Sequence, residues 1–165
     1  MTSLEIASRI ALVGIGATAF MDAWLALRQR MGARGLDFAL IGRWVGHFPR
    51  GRFVHESIGK APRIPGELAW GWLTHYAVGI AFAGLLAASQ GAGWLDNPSA
   101  FPAVAIGLAS VVAPLFLMQP AMGAGFAASR TPAPWKNRLR SLSNHAMFGW
   151  GLYLSAAALE WIASR

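Results

Sequence analysis

The stretch Glu67–Ser89, ELAWGWLTHYAVGIAFAGLLAAS, decides the fold of this chain. After Glu67 it contains no Asp, Glu, Lys or Arg, and its one histidine is His75. An α-helix rises about 1.5 Å per residue, so a segment of this length matches a hydrocarbon core about 30 Å thick. The sequence therefore predicts a transmembrane helix here, with an imidazole inside it.

The composition places the whole chain in the membrane class. Of its 165 residues, 55% are hydrophobic and 13% are charged, and the mean hydropathy is +0.43. These values lie outside the usual range of soluble domains. The absence of cysteine excludes disulfides, thiolate metal sites and cysteine nucleophiles.

Four apolar stretches predict an all-α polytopic membrane protein, a single four-helix domain over residues 1–165. Only twelve residues separate Arg9 from Asp22, too few to cross a bilayer, so the first span must continue past Asp22 to Leu27. In the third span Pro114 and Pro120 remove backbone hydrogen bonds, and we expect a kinked or locally opened helix there. The predicted spans are 6–27, 68–89, 101–123 and 142–162.

The basic residues predict the orientation. The connectors 28–67 and 124–141 hold eight and four of the fourteen Lys and Arg residues, Arg34 among them. Positive connectors stay in the cytoplasm, so we predict a multi-pass bacterial inner-membrane protein with both termini in the periplasm. Because topology accounts for the net charge of +7, we predict no nucleic-acid partner.

The first connector also carries an apolar repeat. Apolar residues recur at every fourth position and Pro49 ends the pattern. This periodicity predicts a short amphipathic helix lying in the membrane interface. The residues of the repeat are Leu36, Leu40, Trp44 and Phe48.

Each predicted span carries a polar side chain in its cytoplasmic half. Ionisable groups inside a membrane are costly and usually face protein or water. We therefore predict a polar ligand-binding site on the cytoplasmic side, in a binding or transport-related protein. The alternative is that these groups only fix helix packing or assembly, with no site. The candidate residues are Asp22, His75, Tyr76, Gln119 and His145.

A second chemistry remains open for the two intramembrane histidines. His75 and His145 lie at similar predicted depths, and two imidazoles can hold a haem iron axially. Asp22 with two histidines would also suit a small metal ion, to which His47, His55 and Glu56 of the first connector could add ligands. No CxxCH or HExxH motif accompanies them. The sequence specifies no cofactor and leaves open whether the protein is an enzyme or redox subunit.

The cytoplasmic arginines suggest a lipid partner. Basic pockets beside membrane helices attract anionic head groups, and an enzyme acting on lipid phosphates could use Asp22 or His75 as a base. Four helices are few for a transporter, so a homo-oligomer or a membrane-complex partner is expected, with small residues such as Gly14 and Gly71 favouring close helix contact. The arginines assigned to head groups are Arg43, Arg50, Arg52, Arg138 and Arg140.

Four short motifs, spread over nearly the whole chain, resemble a known family. They are Gly16-Ala-Thr-Ala-Phe-Met-Asp22, Gly71-Trp-Leu-Thr-His-Tyr76, Met118-Gln-Pro120 and Ser143-Asn-His145. Together they are similar to a family of small bacterial four-span membrane proteins of unknown function. The resemblance implies the architecture and assigns no chemistry.

Overall fold

A computed structural model describes residues 2–33 and 35–165 of the chain. Arg34, counted above among the basic connector residues, lies outside them. No β-strand forms in these residues, which confirms the predicted all-α class. The helices are α1 (Ser3–Arg30), α2 (Phe38–Gly46), α3 (Glu67–Gln90), α4 (Ala100–Ala109), α5 (Gln119–Ala121) and α6 (Pro134–Ala163).

Three helical segments are long and apolar enough to cross a membrane within the described part of the chain. They are Ser3–Arg30, Glu67–Gln90 and Ala100–Ala121. Helix α6 has 30 residues, but its first turns carry Lys136, Arg138 and Arg140, which lower its hydropathy. The fold therefore contains three candidate spans and one long helix of mixed polarity.

The third candidate span is interrupted as its prolines predict. After α4 the backbone forms a π-helical turn over Ala113–Met118, with Pro114 in its first turn. The amide of Gln119 donates to the carbonyl of Pro114, five residues earlier. The expected local opening between Pro114 and Pro120 is thus confirmed, and it leads directly to Gln119.

Contacts divide the described residues into two compact units. The first comprises residues 2–33, 76–110 and 143–165, and the second comprises residues 35–75 and 111–142.

In the first unit, glycines bring helix backbones into contact around a core that includes Val13, Leu86 and Leu152. A Cβ at Gly107 of α4 would overlap the Cα of Gly149 of α6. Helix association inside membranes depends on such close packing, because lipid tails are as apolar as the side chains and the hydrophobic effect does not favour one over the other.

The second unit is built around a crossing of α2 and the first turns of α3. A Cβ at Gly42 would overlap the carbonyl oxygen of Glu67, and a Cβ at Gly71 would overlap that of Phe38. The predicted helix in the first connector is therefore present. Its buried residues, however, are Phe38, Gly42 and Arg43 rather than the apolar repeat.

Candidate functional site

A hydrogen bond joins two of the predicted site residues. The hydroxyl of Tyr76 on α3 donates to Oδ2 of Asp22 on α1, with 3.0 Å between the oxygens. Both side chains are half-buried and lie in the first unit. The pair therefore holds a carboxylate inside one candidate span by a donor from another.

A tight helix contact one turn away positions this pair. Thr18 lies four residues before Asp22 and is 1% exposed, and its hydroxyl donates to the carbonyl of Gly14 at 2.8 Å. Gly79, three residues after Tyr76, packs so closely on Thr18 that a Cβ there would overlap the Thr18 hydroxyl oxygen. Since residues three or four apart share a helix face, this contact presents Tyr76 to Asp22.

His145 lies on α6 against the end of α4. Its Nδ1 is 2.6 Å from the hydroxyl oxygen of Ser110, and that hydroxyl donates to the carbonyl of Gly107. Because the hydroxyl has one proton, His145 Nδ1 must carry the hydrogen of the histidine–serine bond. The preceding Asn144 is 5% exposed, and its Oδ1 accepts from Arg28 at 3.3 Å.

The remaining two predicted site residues lie in the second unit. The ring of His75 packs on Phe38, with centroids 4.7 Å apart, and on Trp72 at 5.9 Å. Gln119 follows the π-helical turn, and its Oε1 is buried without a hydrogen-bond partner among the described residues. The five predicted site residues thus have different surroundings: Asp22 and Tyr76 bond to each other, His145 bonds to Ser110, His75 packs on aromatic rings, and the buried Gln119 Oε1 has no hydrogen-bond partner among the described residues.

Arg43, predicted to bind head groups, is engaged inside the second unit. Its side chain is 7% exposed and forms a two-pronged ion pair with Glu67, with both N–O distances 2.8 Å. Its Nη1 also donates to the carbonyls of Ile58, Gly59 and Ala61 at 3.3 to 3.4 Å. A bidentate pair of this kind fixes both partners in one geometry. Arg43 therefore joins α2, α3 and the connector between them.

The other four arginines assigned to head groups have different surroundings. Arg50 and Arg52 are exposed, whereas Arg138 and Arg140 are half-buried. Arg138 Nε donates to the carbonyl of Ala127 at 2.7 Å. Arg50 and Arg52 are thus the pair whose charges face outward most fully.

A histidine pair forms in the first connector, where the sequence suggested His47 and His55 only as additional metal ligands and did not predict that they bond to each other. His47 is 2% exposed, and its Nδ1 lies 3.1 Å from Nε2 of His55. No helical spacing relates the two, because the chain turns through Pro49 and Gly51 between them. The only signal in the sequence was the occurrence of two histidines within one short connector.

The described residues contain no group of three or more His, Asp or Glu side chains placed to hold a metal ion. Metal binding by Asp22 with two histidines stays a prediction. Axial ligation of haem by His75 and His145 stays a prediction.

Comparison with known proteins identifies a family and adds no activity. The sequence model of a family described as "Protein of unknown function (DUF2938)" matches residues 11–159 of the chain. This match confirms the expected membership of a family of unknown function. Neither a curated protein nor a solved structure matches the chain significantly.

Proposed function

We propose a function for this chain, which belongs to the family of proteins of unknown function DUF2938. The protein is a four-span bacterial inner-membrane protein that binds a small ligand on its cytoplasmic side. Residues 142–162 of α6 contain Glu160 as their only charged residue, which supports a fourth span. With twelve of fourteen basic residues in two connectors, the positive-inside rule supports periplasmic termini.

The hydrogen bond from Tyr76 to Asp22 carries the binding proposal. A carboxylate inside a bilayer is unfavourable by roughly 2.5 to 3.5 kcal/mol on insertion scales. The phenol of Tyr76 is a neutral donor and brings no positive charge to the carboxyl group of Asp22, whereas a cationic ligand would bring one. The matching ligand is a small cation or a protonated amine. Such a ligand would suit a binding or transport-related component.

Asp22→Asn tests this proposal, because an amide keeps an oxygen for Tyr76 and removes the charge. The purified protein in nanodiscs is titrated with sodium, ammonium and ethylammonium, and its unfolding temperature is measured. We expect at least one cation to raise the unfolding temperature of the wild type and to have no effect on Asp22→Asn. The exposed carboxylate variant Asp96→Asn is the matched control and should keep the response.

Other results would replace the proposal. An Asp22→Asn protein that responds to cations like the wild type would contradict it, and loss of folded Asp22→Asn protein would favour a packing role. An absorption spectrum of the same preparation tests the redox alternative. A Soret band that disappears in both His75→Ala and His145→Ala would make haem binding the better account.

Anionic lipid is the second partner that we propose, at Arg50 and Arg52. Phe53 follows them with 56% of its surface exposed, while its carbonyl accepts from the indole of Trp44 at 2.8 Å. Phe48 packs on both Trp44 and Phe53. Exposed arginines beside an anchored aromatic cluster are typical of a membrane interface.

Native mass spectrometry with mixed phosphatidylglycerol and phosphatidylcholine tests the lipid proposal. We expect the wild type to retain phosphatidylglycerol preferentially and Arg50→Gln with Arg52→Gln to lose most of that preference. The double variant Lys60→Gln with Arg63→Gln removes the same charge from exposed positions of the same connector and is the control. Equal retention by both double variants would contradict an assignment to Arg50 and Arg52.

A further inference from the structure

The hydrogen bonds of His47 determine the tautomers of both histidines in the connector. Its Nε2 lies 3.0 Å from the carbonyl oxygen of Pro62. A carbonyl only accepts, so this nitrogen carries the proton and Nδ1 of the neutral ring is an acceptor. Nε2 of His55, 3.1 Å away, must then be the donor to it. The neutral His55 ring therefore has its lone pair on Nδ1.

That lone pair is buried without a partner. His55 Nδ1 has no hydrogen-bond partner in residues 2–33 and 35–165 and almost no contact with solvent. A buried unsatisfied acceptor costs about 1 to 3 kcal/mol, so its presence calls for a physical reason. A metal ion is not that reason, because the described part of the chain places no group of three or more His, Asp or Glu side chains around it. A proton relay is not the reason either. The hydrogen bonds run from His55 to His47 and end on the carbonyl oxygen of Pro62, which cannot pass a proton on.

The backbone beside His55 forms a clasp between two segments of the second unit. The amide of His55 donates to the carbonyl of Ala121 at 2.8 Å, and the amide of Ile58 donates to that of Met122 at 3.0 Å. Gly123 completes the clasp with a φ of +91°, and a Cβ there would overlap the carbonyl oxygen of Glu56. The clasp joins residues 55–58 to residues 121–123, directly after the third candidate span.

The charges around His55 oppose a proton on its ring. Burial is the main cause that lowers the pKa of His55, and the nearby His47 and Arg52 lower it further. A hydrogen bond with the backbone of Ala121 acts in the opposite direction, but the pKa remains below its ordinary value. The Glu56 side chain is exposed, and residues 119–123 include no titratable side chain. Arg43, which bonds the carbonyl of Ile58, is paired with Glu67.

We propose that His47 and His55 form an acid-released catch, in which neutral His55 holds the clasp and a proton on its Nδ1 opens it. Protonation would place a positive charge on a buried ring near Arg52, and the backbone carbonyl of Ala121 would offset only part of that cost. A buried histidine placed this way is a pH switch acting on one local element. The catch goes beyond the proposed function, since it requires neither Asp22 nor Tyr76.

The sign of the pH effect follows from the lowered pKa. Between the folded and unfolded pKa values of His55, the opened segment binds a proton that the closed clasp does not. The clasp is therefore fully stable above the ordinary pKa of about 6.5. It weakens as the pH falls through that value toward the lower pKa of the closed form.

Hydrogen–deuterium exchange of the full-length protein in nanodiscs, corrected for intrinsic exchange, measures this opening. From about pH 8 to about pH 5, we expect the amide protection of residues 55–58 and 121–123 to fall. The fall is up to about tenfold for each pH unit that separates the pKa of His55 in the closed clasp from its ordinary value. In His55→Gln the amide side chain keeps a donor for His47 and cannot titrate. The protection of residues 55–58 and 121–123 in this variant should therefore be independent of pH. Arg52→Gln should move the midpoint to higher pH, whereas Arg63→Gln, which removes an exposed arginine of the same connector, is the matched control and should not.

Two results would overturn the catch. One is constant protection in the wild type across this range. The other is a pH step that persists in His55→Gln. If His55→Gln does not fold, the ¹⁵N resonances of the wild-type histidines provide the second measurement. The midpoint of His55 must then coincide with the loss of protection, and a His55 that stays neutral while protection is lost also overturns the proposal.

Discussion

At the residue scale, Arg43 illustrates what charge patterning alone cannot resolve. Its position in a basic connector predicted a head-group contact, as for Arg50 and Arg52. The structure instead pairs it with Glu67, 24 residues later, at the start of α3. The intervening chain turns several times, so spacing carries no information about the pairing. A buried cation needs such a partner because an unpaired one is strongly unfavourable.

Arg43→Ala is therefore expected to be more damaging than removal of an exposed arginine. It leaves Glu67 without its cationic partner and removes the donor that Arg43 supplies to the carbonyls of Gly59 and Ala61. We expect the unfolding temperature in detergent to fall by about 5 °C or more. Arg63→Ala, an exposed position of the same connector, is the control and should change it little. Equal unfolding temperatures for the two variants would show that the pair does not stabilise the second unit.

Asp22 and Tyr76 show the opposite case, in which the sequence was informative. The short interval between Arg9 and Asp22 required the helix to continue, and α1 does extend to Arg30. Asp22 was assigned to the site by its depth in the predicted span, and Tyr76 because it follows His75 in the sequence. Depth gives the level along a helix and not the direction in which a side chain points. The 3.0 Å bond between them depends on the Thr18–Gly79 contact.

At the scale of elements, the hydropathy of the sequence predicted where the long helices lie but not where their polar ends begin. The stretch 68–89 is nearly all of α3, Glu67–Gln90. By contrast, α6 begins at Pro134, eight residues before the predicted span at 142. A helix can extend beyond the hydrocarbon with polar side chains, because its backbone hydrogen bonds do not require lipid. The apolar pattern therefore predicts the apolar part of a helix and not its polar beginning.

The crossing of α2 and α3 was not predictable from periodicity, because glycine contributes no hydropathy signal. We expect Gly71→Ala to lower the free energy of unfolding by about 1 to 3 kcal/mol, since the added methyl overlaps the Phe38 carbonyl. Gly84→Ala on the same helix is the control. There the nearest atom to the new Cβ would be a methyl of Ile10 at 3.7 Å, and helix propensity favours alanine by about 1 kcal/mol. Denaturant unfolding should place the two variants on opposite sides of the wild type.

At the scale of the whole molecule, the number of spans decides the topology. Three helical segments of the described chain have the length and hydropathy of spans, whereas α6 has an apolar part and a basic beginning. The 30 residues of α6 extend about 45 Å at 1.5 Å per residue, so the helix can both cross the bilayer and project beyond it. Lys136, Arg138 and Arg140 would then mark its cytoplasmic end.

Reporter fusions separate three spans from four, because an even number of spans leaves both termini on one side. We expect alkaline phosphatase to be active when fused to the C-terminus or inserted after Asn97, in the turn between α3 and α4. Green fluorescent protein should fluoresce when inserted after Gly51, an exposed turn residue of the first connector. If α6 does not cross, the C-terminal fusion will fluoresce while the insertion after Asn97 stays periplasmic. That result would place Glu160 on the cytoplasmic side and remove the four-span proposal, while the Asp22–Tyr76 pair would keep its place between α1 and α3.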